Sequence, residues 1–367
     1  MDDELDEIVR RHRVGQRLAL ATVVRTWASS PRPAGAMMAV SEDGDVIGSV
    51  SGGCVEGAVY ETAQRVLAGA PASVEHYGVS DGDAFEVGLS CGGQIDVFVE
   101  PATSEAIELL SAGLQARRAQ ERVALATVVR GPLAGRRLLL TTSGGSGSLG
   151  VDELDQAAVA LSEQLHAQGG RGSTFDGVAA APGAEVFVHP LAPAADLLIF
   201  GAIDYASALA RIGRFLGYRV TVCDARATFT TEQRFPDAHE VVVDWPHRFL
   251  ESFPVAASTA ICVLTHDPKY DVPALVAALK SDAGYVGAMG SRSTTEKRSA
   301  LLIEAGVTQE ELARLRAPIG LDLGASSPEE TAVSIAAEII ASRHGSSGAP
   351  LAAGTGPIHD VRGLQDP

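Results

Sequence analysis

One segment of nine residues occurs twice in this chain, and it constrains the fold more than any other feature of the sequence. RLALATVVR at 17–25 recurs almost unchanged as RVALATVVR at 122–130. Both copies are rich in β-branched and apolar residues, which favours a buried strand. The recurrence predicts that the first half of the chain is built from a duplicated unit of strands and helices.

The parallel between the two copies continues beyond the repeated strand. GSV at 48–50 matches GSL at 147–149, and each runs into an acidic helix. DVFVEP at 96–101 matches EVFVHP at 185–190. The second copy has no counterpart of the glycine-rich cysteine loops of the first, which favours a functional role for those cysteines over a packing role.

The fold class predicted from these patterns is α/β with two domains. The repeat predicts an N-terminal α+β domain over 1–193, with halves of about 1–104 and 105–193. From Asp196 onward strands alternate with helices, which predicts a Rossmann-like domain with a parallel sheet over 194–343. Strands are expected at 197–200, 219–223, 241–243, 260–264 and 285–288.

Near the end of the chain, a predicted helix is followed by a segment with the composition of a disordered tail. Ser327, Pro328 and Glu330 form an N-cap, a first-turn proline and a capping-box glutamate, which predict a last helix reaching about Arg343. Residues 344–367 are rich in Gly, Ser, Ala and Pro and are expected to be disordered.

The net charge of the chain makes two classes of binding partner unfavourable. It has 29 Lys and Arg against 46 Asp and Glu, so its net charge is -17. Such a charge repels phosphate polyanions and anionic lipid, and we expect neither nucleic acid nor a membrane as partner. The first residues are acidic and no apolar segment is long enough to span a bilayer, so the predicted location is the cytoplasm.

Two of the four cysteines lie where a reactive thiol is expected. Cys54 follows Ser51, Gly52 and Gly53 and precedes Glu56 at a predicted strand-to-helix turn, and these four neighbours are candidate cofactor contacts. Free backbone N–H groups and the helix dipole at such a turn would stabilise a thiolate.

Cys91, followed by Gly92 and Gly93, lies in a similar turn, where glycines let a ligand approach closely. A lone cysteine is more often a small buried hydrophobe, which is our interpretation of Cys223 and Cys262. Near the first cysteine loop, the loop cation Arg32 can bind a phosphate or simply be solvated. Asp81 and Asp83 lie in another polar loop. Their presence is explained equally well by a solvated turn and by a functional role.

The second domain carries an incomplete dinucleotide fingerprint. Gly201 and Ala206 fit the pattern G-x-G-x-x-G/A, and Asp224 ends the second strand where an acid would meet a ribose. Ile203 places a side chain where the pyrophosphate must approach, and Asp204 adds a negative charge. We therefore consider binding of a nicotinamide nucleotide disfavoured.

Three further positions of this domain are candidate cofactor contacts. The turn Gly290, Ser291 and Arg292 opens a helix after a strand and offers N–H groups and a cation to a phosphate. His266 ends a strand at the carboxyl edge of the sheet, where open α/β sheets bind ligands. Asp322 lies in a glycine-rich loop expected to line the same crevice.

Several of these motifs together resemble those of the XdhC/CoxI family, accessory proteins of molybdenum hydroxylases such as xanthine dehydrogenase and carbon monoxide dehydrogenase. The resemblance covers nearly the whole chain to about Arg343. The motifs that carry it are GSVSGGCVE at 48–56, GLSCGG at 88–93, PIGLD at 318–322 and SPEE at 327–330.

The resemblance implies a cofactor chaperone rather than a catalyst. Its expected tasks are to bind and protect the molybdenum cofactor, to help sulfurate it with a cysteine desulfurase, and to insert it into an apo molybdenum hydroxylase. Molybdenum is thiophilic, so Cys54 and Cys91 are expected to contact the metal or relay sulfur. The turn at Gly201 departs from the Gly-x-Gly-His type usual in such proteins, which puts its cofactor role in doubt.

The residues leave two other interpretations open. An NAD(P)-dependent oxidoreductase would use the Rossmann domain and a Cys54/Cys91 redox pair, and a scaffold protein would have inert cysteines. A homodimer is compatible with either, because symmetric dimers are the commonest assembly.

Overall fold

A computed structural model describes residues 2–27, 32–78, 93–167 and 172–355 of the chain. These residues form two compact units, one ending at Pro193 and the other covering Ala194–Gly354. No helix among the described residues is long and apolar enough to cross a membrane.

The first unit contains two copies of one arrangement of strands and helices. The first copy contains α1 (Asp2–Arg13), β1 (Leu18–Trp27), β2 (Met37–Ser41), β3 (Val46–Gly48), α2 (Glu56–Leu67), β4 (Ser73–Tyr77) and β5 (Gln94–Pro101). The second contains α3 (Ser104–Arg118), β6 (Val123–Arg130), β7 (Arg137–Thr141), β8 (Gly144–Ser148), α4 (Asp152–Ala167), β9 (Ser173–Asp176) and β10 (Glu185–Leu191).

The two copies have the same sheet topology, which confirms the predicted repeat. Their antiparallel five-stranded sheets have the orders β3-β2-β1-β5-β4 and β8-β7-β6-β10-β9. Ala21 pairs with Val99 in the first sheet, and the equivalent Ala126 pairs with Val188 in the second. The register shifts at Val24 and at the equivalent Val129, so even the β-bulge occurs twice.

Each sheet has two apolar faces. In β1, Ala21 and Val23 face a core that α2 covers, while Leu20 and Val24 belong to cores on the opposite face. Val24 and Phe98 pack with their equivalents Val129 and Phe187 in one cluster. The duplicated halves are therefore joined through equivalent side chains.

The joint between the halves also contains two matched polar contacts. Glu100 and His189 are equivalent positions of β5 and β10, and each lies over a positive-φ glycine of the other half. His189 lies over Gly35, and Glu100 lies beside Gly135 and forms a buried ion pair with Arg137. All of these residues except Gly135 line a cavity of about 30 Å³ between the halves.

The second unit is the predicted Rossmann-like domain. Its elements are β11 (Asp196–Phe200), α5 (Asp204–Phe215), β12 (Arg219–Cys223), β13 (Glu240–Val242), α6 (Pro246–Ser252), β14 (Ala260–Val263), α7 (Pro268–Lys280), β15 (Tyr285–Ala288), α8 (Arg292–Glu304), α9 (Gln309–Ala313), β16 (Leu315–Arg316) and α10 (Pro328–His344). The parallel strands have the order β13-β12-β11-β14-β15-β16, with α5 and α10 packed on one face and α6, α7 and α8 on the other. The predicted fold class is confirmed.

The last helix begins as its sequence predicts. Ser327 and Glu330 form a complete capping box, and the helix ends at Gly345 with φ 62°. Of the tail expected to be disordered, the structure describes the part up to Thr355, which includes a 3-10 turn at Leu351–Ala353.

Candidate functional site

Three loops that carry predicted site residues lie at the same end of the strands of the first sheet. β1, β3 and β4 end there, and β2 and β5, which run antiparallel to their neighbours, begin there. The loop after β1 contains Arg32, the loop after β3 contains Cys54, and residues 78–93 connect β4 to β5. The topology thus brings together segments far apart in the sequence.

Not all of these predicted residues can be described. Cys91 and Gly92, like Asp81 and Asp83, lie outside the described residues. Gly93 is buried immediately before β5, and Arg32 is exposed. Cys54 is partly buried and packs against the core beneath α2.

The loop that carries Cys54 is wrapped around the carboxylate of Glu56. This carboxylate accepts hydrogen bonds from the hydroxyls of Ser49 (2.6 Å) and Ser51 (2.5 Å). It also accepts from the amides of Ser51, Gly52 and Gly53, each at 2.8 Å. Burial raises the pKa of Glu56, but these hydrogen bonds outweigh burial and lower the pKa to about 2.

The expectation of free N–H groups around Cys54 is wrong. Three amides of the loop donate to Glu56, and those of Cys54 and Val55 donate to the Ser51 hydroxyl at 3.0 and 3.1 Å. The sequence predicted a glycine-rich turn, but it did not show that the carboxylate of Glu56 accepts hydrogen bonds from the amides of that turn. Glu56 and Ser51, predicted to contact a cofactor, therefore hold the loop around Cys54.

The second copy of the unit contains a smaller arrangement of the same kind, without the cysteine, in which Asp155 accepts from one hydroxyl and from the Leu149 amide. Ser148 donates to Asp155 at 2.8 Å, across the same seven-residue spacing that separates Ser49 from Glu56. Leu149 and Leu154 are buried as are their counterparts Val50 and Val55. The position of Cys54 is taken by Glu153, which is exposed.

The glycines that precede Cys54 also belong to the first copy alone. Gly52 and Gly53 have φ values of 83° and 124°, and their equivalents are Val151 and Asp152. A side chain at either glycine would meet no atom of the described residues within 4 Å. As far as these residues extend, a ligand can therefore approach the backbone beside Cys54 closely.

We predict that Glu56→Gln lowers the free energy of unfolding by about 1–3 kcal/mol at pH 7, because it weakens hydrogen bonds to a charged acceptor. Since folding lowers the pKa of Glu56 to about 2, its contribution is present above the ordinary value near 4.5 and is lost as the pH falls toward 2. The measurement is urea unfolding of parent and variant between pH 7 and pH 3. A difference in stability that stays constant over this range would contradict the prediction, and Asp155→Asn is the matched control.

An ion network lies at the same end of the strands of the first sheet, and the sequence analysis missed it. Glu185 accepts from Arg25 at 2.9 Å and from Arg130 at 3.1 Å, which are equivalent residues of the two copies. Asp96, the equivalent of Glu185, pairs with His76 at 2.8 Å. The repeat of arginine and acid at matching positions was the signal that could have revealed it.

In the second unit, the acidic residue that a dinucleotide-binding turn would offer to a ribose is already hydrogen-bonded within the protein. Asp224 accepts from the Ala202 amide at 2.8 Å and from the Arg226 guanidinium at 2.6 and 2.9 Å. Burial raises the pKa of Asp224, but the hydrogen bonds from Arg226 and Ala202 lower it overall. Gly201, with φ 121°, lies against Thr265, since an added Cβ would be 3.0 Å from that side chain. The predicted ribose acid is thus already engaged.

The remaining predicted residues of this unit lie at the carboxyl edge of the sheet or in the loop after it. His266 follows β14, and Gly290 to Arg292 follow the neighbouring β15. Asp322 is exposed in the loop after β16. This loop is held to α10 by hydrogen bonds from the Gly320 amide to Glu338, from the Ser334 hydroxyl to the Leu321 carbonyl, and from the Leu321 amide to the Ser334 carbonyl.

Two family models match the chain, and together they cover more than half of it. The XdhC Rossmann domain matches residues 197–339, and the XdhC and CoxI family matches residues 12–78. The chain belongs to the XdhC/CoxI family. The resemblance drawn from the cysteine loops and the later motifs is confirmed.

Relatives and a solved structure extend this XdhC/CoxI assignment over nearly the full chain. A protein of Bacillus subtilis named as a probable xanthine dehydrogenase subunit is 28% identical, over 89% of this chain and 94% of the relative. The molybdenum cofactor insertion chaperone PaoD of Escherichia coli is 28% identical, over 90% and 84%. A crystal structure of a protein named a xanthine dehydrogenase, from Bacillus halodurans, has a TM-score of 0.71 at 25% identity, covering 96% of this chain and 98% of that one.

The donor groups of this XdhC/CoxI protein do not form a metal cage in the described part of the chain. There, no cluster of three or more His, Cys, Asp or Glu side chains could hold a metal ion. Cys223 and Cys262 are buried in the cores of the Rossmann-like unit, as predicted, and burial raises the pKa of both, that of Cys223 to about 12. Of the three described cysteines, only Cys54 is partly exposed.

Proposed function

We propose that this protein binds the molybdenum cofactor as cargo, protects it, and delivers it to an apo molybdenum hydroxylase of the xanthine dehydrogenase or carbon monoxide dehydrogenase type. In this proposal Cys54 contacts the metal of the cargo or carries sulfur to it, and Cys91 assists. Arg32 and the glycines of both cysteine loops lie beside the cargo.

One observation carries the proposal. A serine hydroxyl that bonds the acid seven residues later occurs in both copies of the unit, whereas the cysteine and the two glycines before it occur only in the first. The second copy folds with Glu153 in the place of the cysteine, so the thiol is not needed for the loop to form. A thiol that is partly accessible and dispensable for folding is a candidate for binding a thiophilic metal.

The partners follow from this role and from the relatives. PaoD is named as a molybdenum cofactor insertion chaperone, and we extend that role to this protein. We propose a cysteine desulfurase as the source of sulfur and the cytoplasm as the location. The net charge of -17 suits a protein partner better than a polyanion. A homodimer is compatible with the proposal and not required by it.

We predict that Cys54→Ser reduces retention of the molybdenum cofactor at least tenfold, because a serine hydroxyl is a poor ligand for a thiophilic metal. The measurement is an anaerobic titration of the purified protein with the cofactor, followed by a desalting column and analysis of molybdenum in the protein fraction. Glu153→Ser changes the equivalent position of the second copy and is the matched control. Cys91→Ser tests the second thiol in the same way.

Two results would contradict the proposal. One is a parent protein that retains no cofactor, and the other is a Cys54→Ser variant that retains it as well as the parent and Glu153→Ser. Unfolding curves of all variants establish that a loss of retention does not come from a loss of structure.

A second candidate function is favoured by the sheet of the Rossmann-like unit. Its strand order is that of dinucleotide-binding domains, which supports an NAD(P)-dependent oxidoreductase with a Cys54/Cys91 redox pair. The engagement of Asp224 with Arg226 and the side chain of Ile203 in the first turn weigh against it. Titration with NADH and NADPH, followed by tryptophan fluorescence, separates the two functions, since saturable micromolar binding would support the oxidoreductase.

A further inference from the structure

Four consecutive backbone amides are left without acceptors at the carboxyl edge of the parallel sheet. They belong to residues 290–293, where β15 ends and α8 begins, and no hydrogen bond is made by them among the described residues. The amides on either side are bonded, that of Met289 to the Val263 carbonyl and that of Thr294 to the Ser291 hydroxyl. The unbonded amides coincide with the positive end of the dipole of α8, a 13-residue helix.

A buried guanidinium lies against the same turn. Arg298 is 4% exposed, and its Nη2 atom donates to the Met289 carbonyl at 2.8 Å and to Asp271 at 2.9 Å. Its Nη1 atom is buried and has no hydrogen-bond partner in the described part of the chain. Because helical side chains point toward the N-terminus of their helix, this group reaches the turn from two helical turns away.

Gly290 lets the backbone approach the guanidinium. Its φ is 153°, and a Cβ at this position would lie 3.4 Å from Arg298 Nη2 and from the side chain of Thr294. The rim carries the exposed side chains of Ser291 and Arg292. Amides, hydroxyls and a guanidinium are the donors that proteins use for a tetrahedral oxyanion.

Arg298 is paired with one carboxylate, but not all of its hydrogen-bond donors are used. Asp271 accepts from both Arg298 and the Thr265 hydroxyl, and it is the carboxylate that pairs with the guanidinium. Burial raises the pKa of Asp271, and its hydrogen bonds and Arg298 oppose that shift. The Nη1 donor and the four amides thus have no acceptor among the described residues.

We infer that residues 290–293 and Arg298 form a binding site for a phosphate monoester. The inference rests on the proposed function only in so far as the phosphate is that of the molybdenum cofactor. The same chemistry would bind the phosphate of a nucleotide. Arg298, which the sequence analysis did not single out, is the group that anchors the site.

A comparison with α10 shows that the open amides are not a general property of helix starts in this unit. At α10 the Ser327 hydroxyl accepts from the Glu330 amide, and the Glu330 carboxylate accepts from the amides of Ser326 and Ser327. That helix start therefore has its own carboxylate, whereas α8 has none. Ser327 supplies the matched control for a test at Ser291.

The test places a negative charge in the site without removing the helix cap. Aspartate caps a helix as well as serine does, so Ser291→Asp is expected to leave the unfolding midpoint unchanged. The full-length protein is titrated with inorganic phosphate in a calorimeter at low ionic strength. We expect one bound phosphate for the parent, at least tenfold weaker binding for Ser291→Asp, and unchanged binding for the neutral Ser291→Asn and for Ser327→Asp.

The inference is overturned if the parent does not bind phosphate, if Ser291→Asp binds it as the parent does, or if Ser327→Asp weakens binding equally. The source of the phosphate is read from two further titrations of the same variants, with adenosine monophosphate and with the molybdenum cofactor. Loss of cofactor retention in Ser291→Asp assigns the site to the cargo, and loss of nucleotide binding alone assigns it to a nucleotide. Because inorganic phosphate is the first probe, failure of the cofactor proposal leaves this result intact.

Discussion

Gly35→Ala is expected to destabilise the first unit by about 3 kcal/mol, from a steric overlap and a strained backbone together. A Cβ at this buried position would lie 2.1 Å from Nε2 of His189, so the imidazole or the strand beneath it must move. Burial, with the charge of Arg117, lowers the pKa of His189 to about 4, so the ring is neutral at pH 7 and no charged contact compensates. In addition, φ at Gly35 is 93°, which an alanine adopts only at a cost.

The equivalent glycine of the other half separates these two causes. Gly135 has a φ of 91°, but an added Cβ there would lie 3.6 Å from Glu100, an ordinary contact. Gly135→Ala is therefore expected to cost only about 1 kcal/mol, the backbone contribution. Urea unfolding followed by Trp27 fluorescence in a Trp245→Phe background measures both. Equal losses for the two variants, or no recovery on adding His189→Ala to Gly35→Ala, would contradict the steric explanation.

Arg137→Met is expected to destabilise the same unit by about 3–5 kcal/mol, because it leaves the carboxylate of Glu100 buried without its partner. The two side chains form an ion pair in which each is at most 5% exposed. Methionine is the natural choice, since Met37 occupies the equivalent position of the first half. Chemical unfolding at pH 7 measures the loss, and Glu100→Gln in the Arg137→Met background should recover part of it.

The pH dependence of this variant has a defined sign. Burial raises the pKa of Glu100, and Arg137 opposes that shift in the parent protein. Without Arg137 the folded state binds a proton at Glu100 more tightly than the unfolded state does. Stability lost by the variant should therefore be greatest at high pH and shrink as the pH falls.

Arg130→Met is the control for the Arg137 prediction, since Arg130 pairs with Glu185 but is 46% exposed. Its removal is expected to cost at most about 1 kcal/mol, as is usual for exposed pairs. A loss as large as that of Arg137→Met would show that burial does not set the cost of breaking these pairs.

The architecture was predictable because it depends on patterns that repeat along the chain. The recurrence of RLALATVVR, the alternation of strands and helices after Asp196 and the capping box at Ser327 each depend on local spacing. The structure differs from the predictions mainly at element ends. β1, predicted from the repeated segment at 17–25, continues through a β-bulge to Trp27, because β5 begins at Gln94 and pairs with that extension.

The candidate site was predictable only in part. The glycine-rich turn at Cys54 was visible in the sequence, but the engagement of its amides with Glu56 was not. In the same way, the sequence placed an acid at Asp224 but did not show that Arg226 already occupies it. Which donor meets which acceptor depends on side-chain and backbone geometry that residue spacing does not specify.

The sequence by itself determined the duplicated α+β unit, the parallel sheet after it, the family and the cysteine that only one copy possesses. Tertiary structure alone decided which loops lie at the same end of the strands of the first sheet, that Glu56 clamps the Cys54 loop, and that Arg298 lies against the turn at Gly290. The physical reason is the range of the interactions. Periodicity and capping act over a few residues, whereas the pairing of strands and the burial of a charge bring together residues that the sequence separates widely.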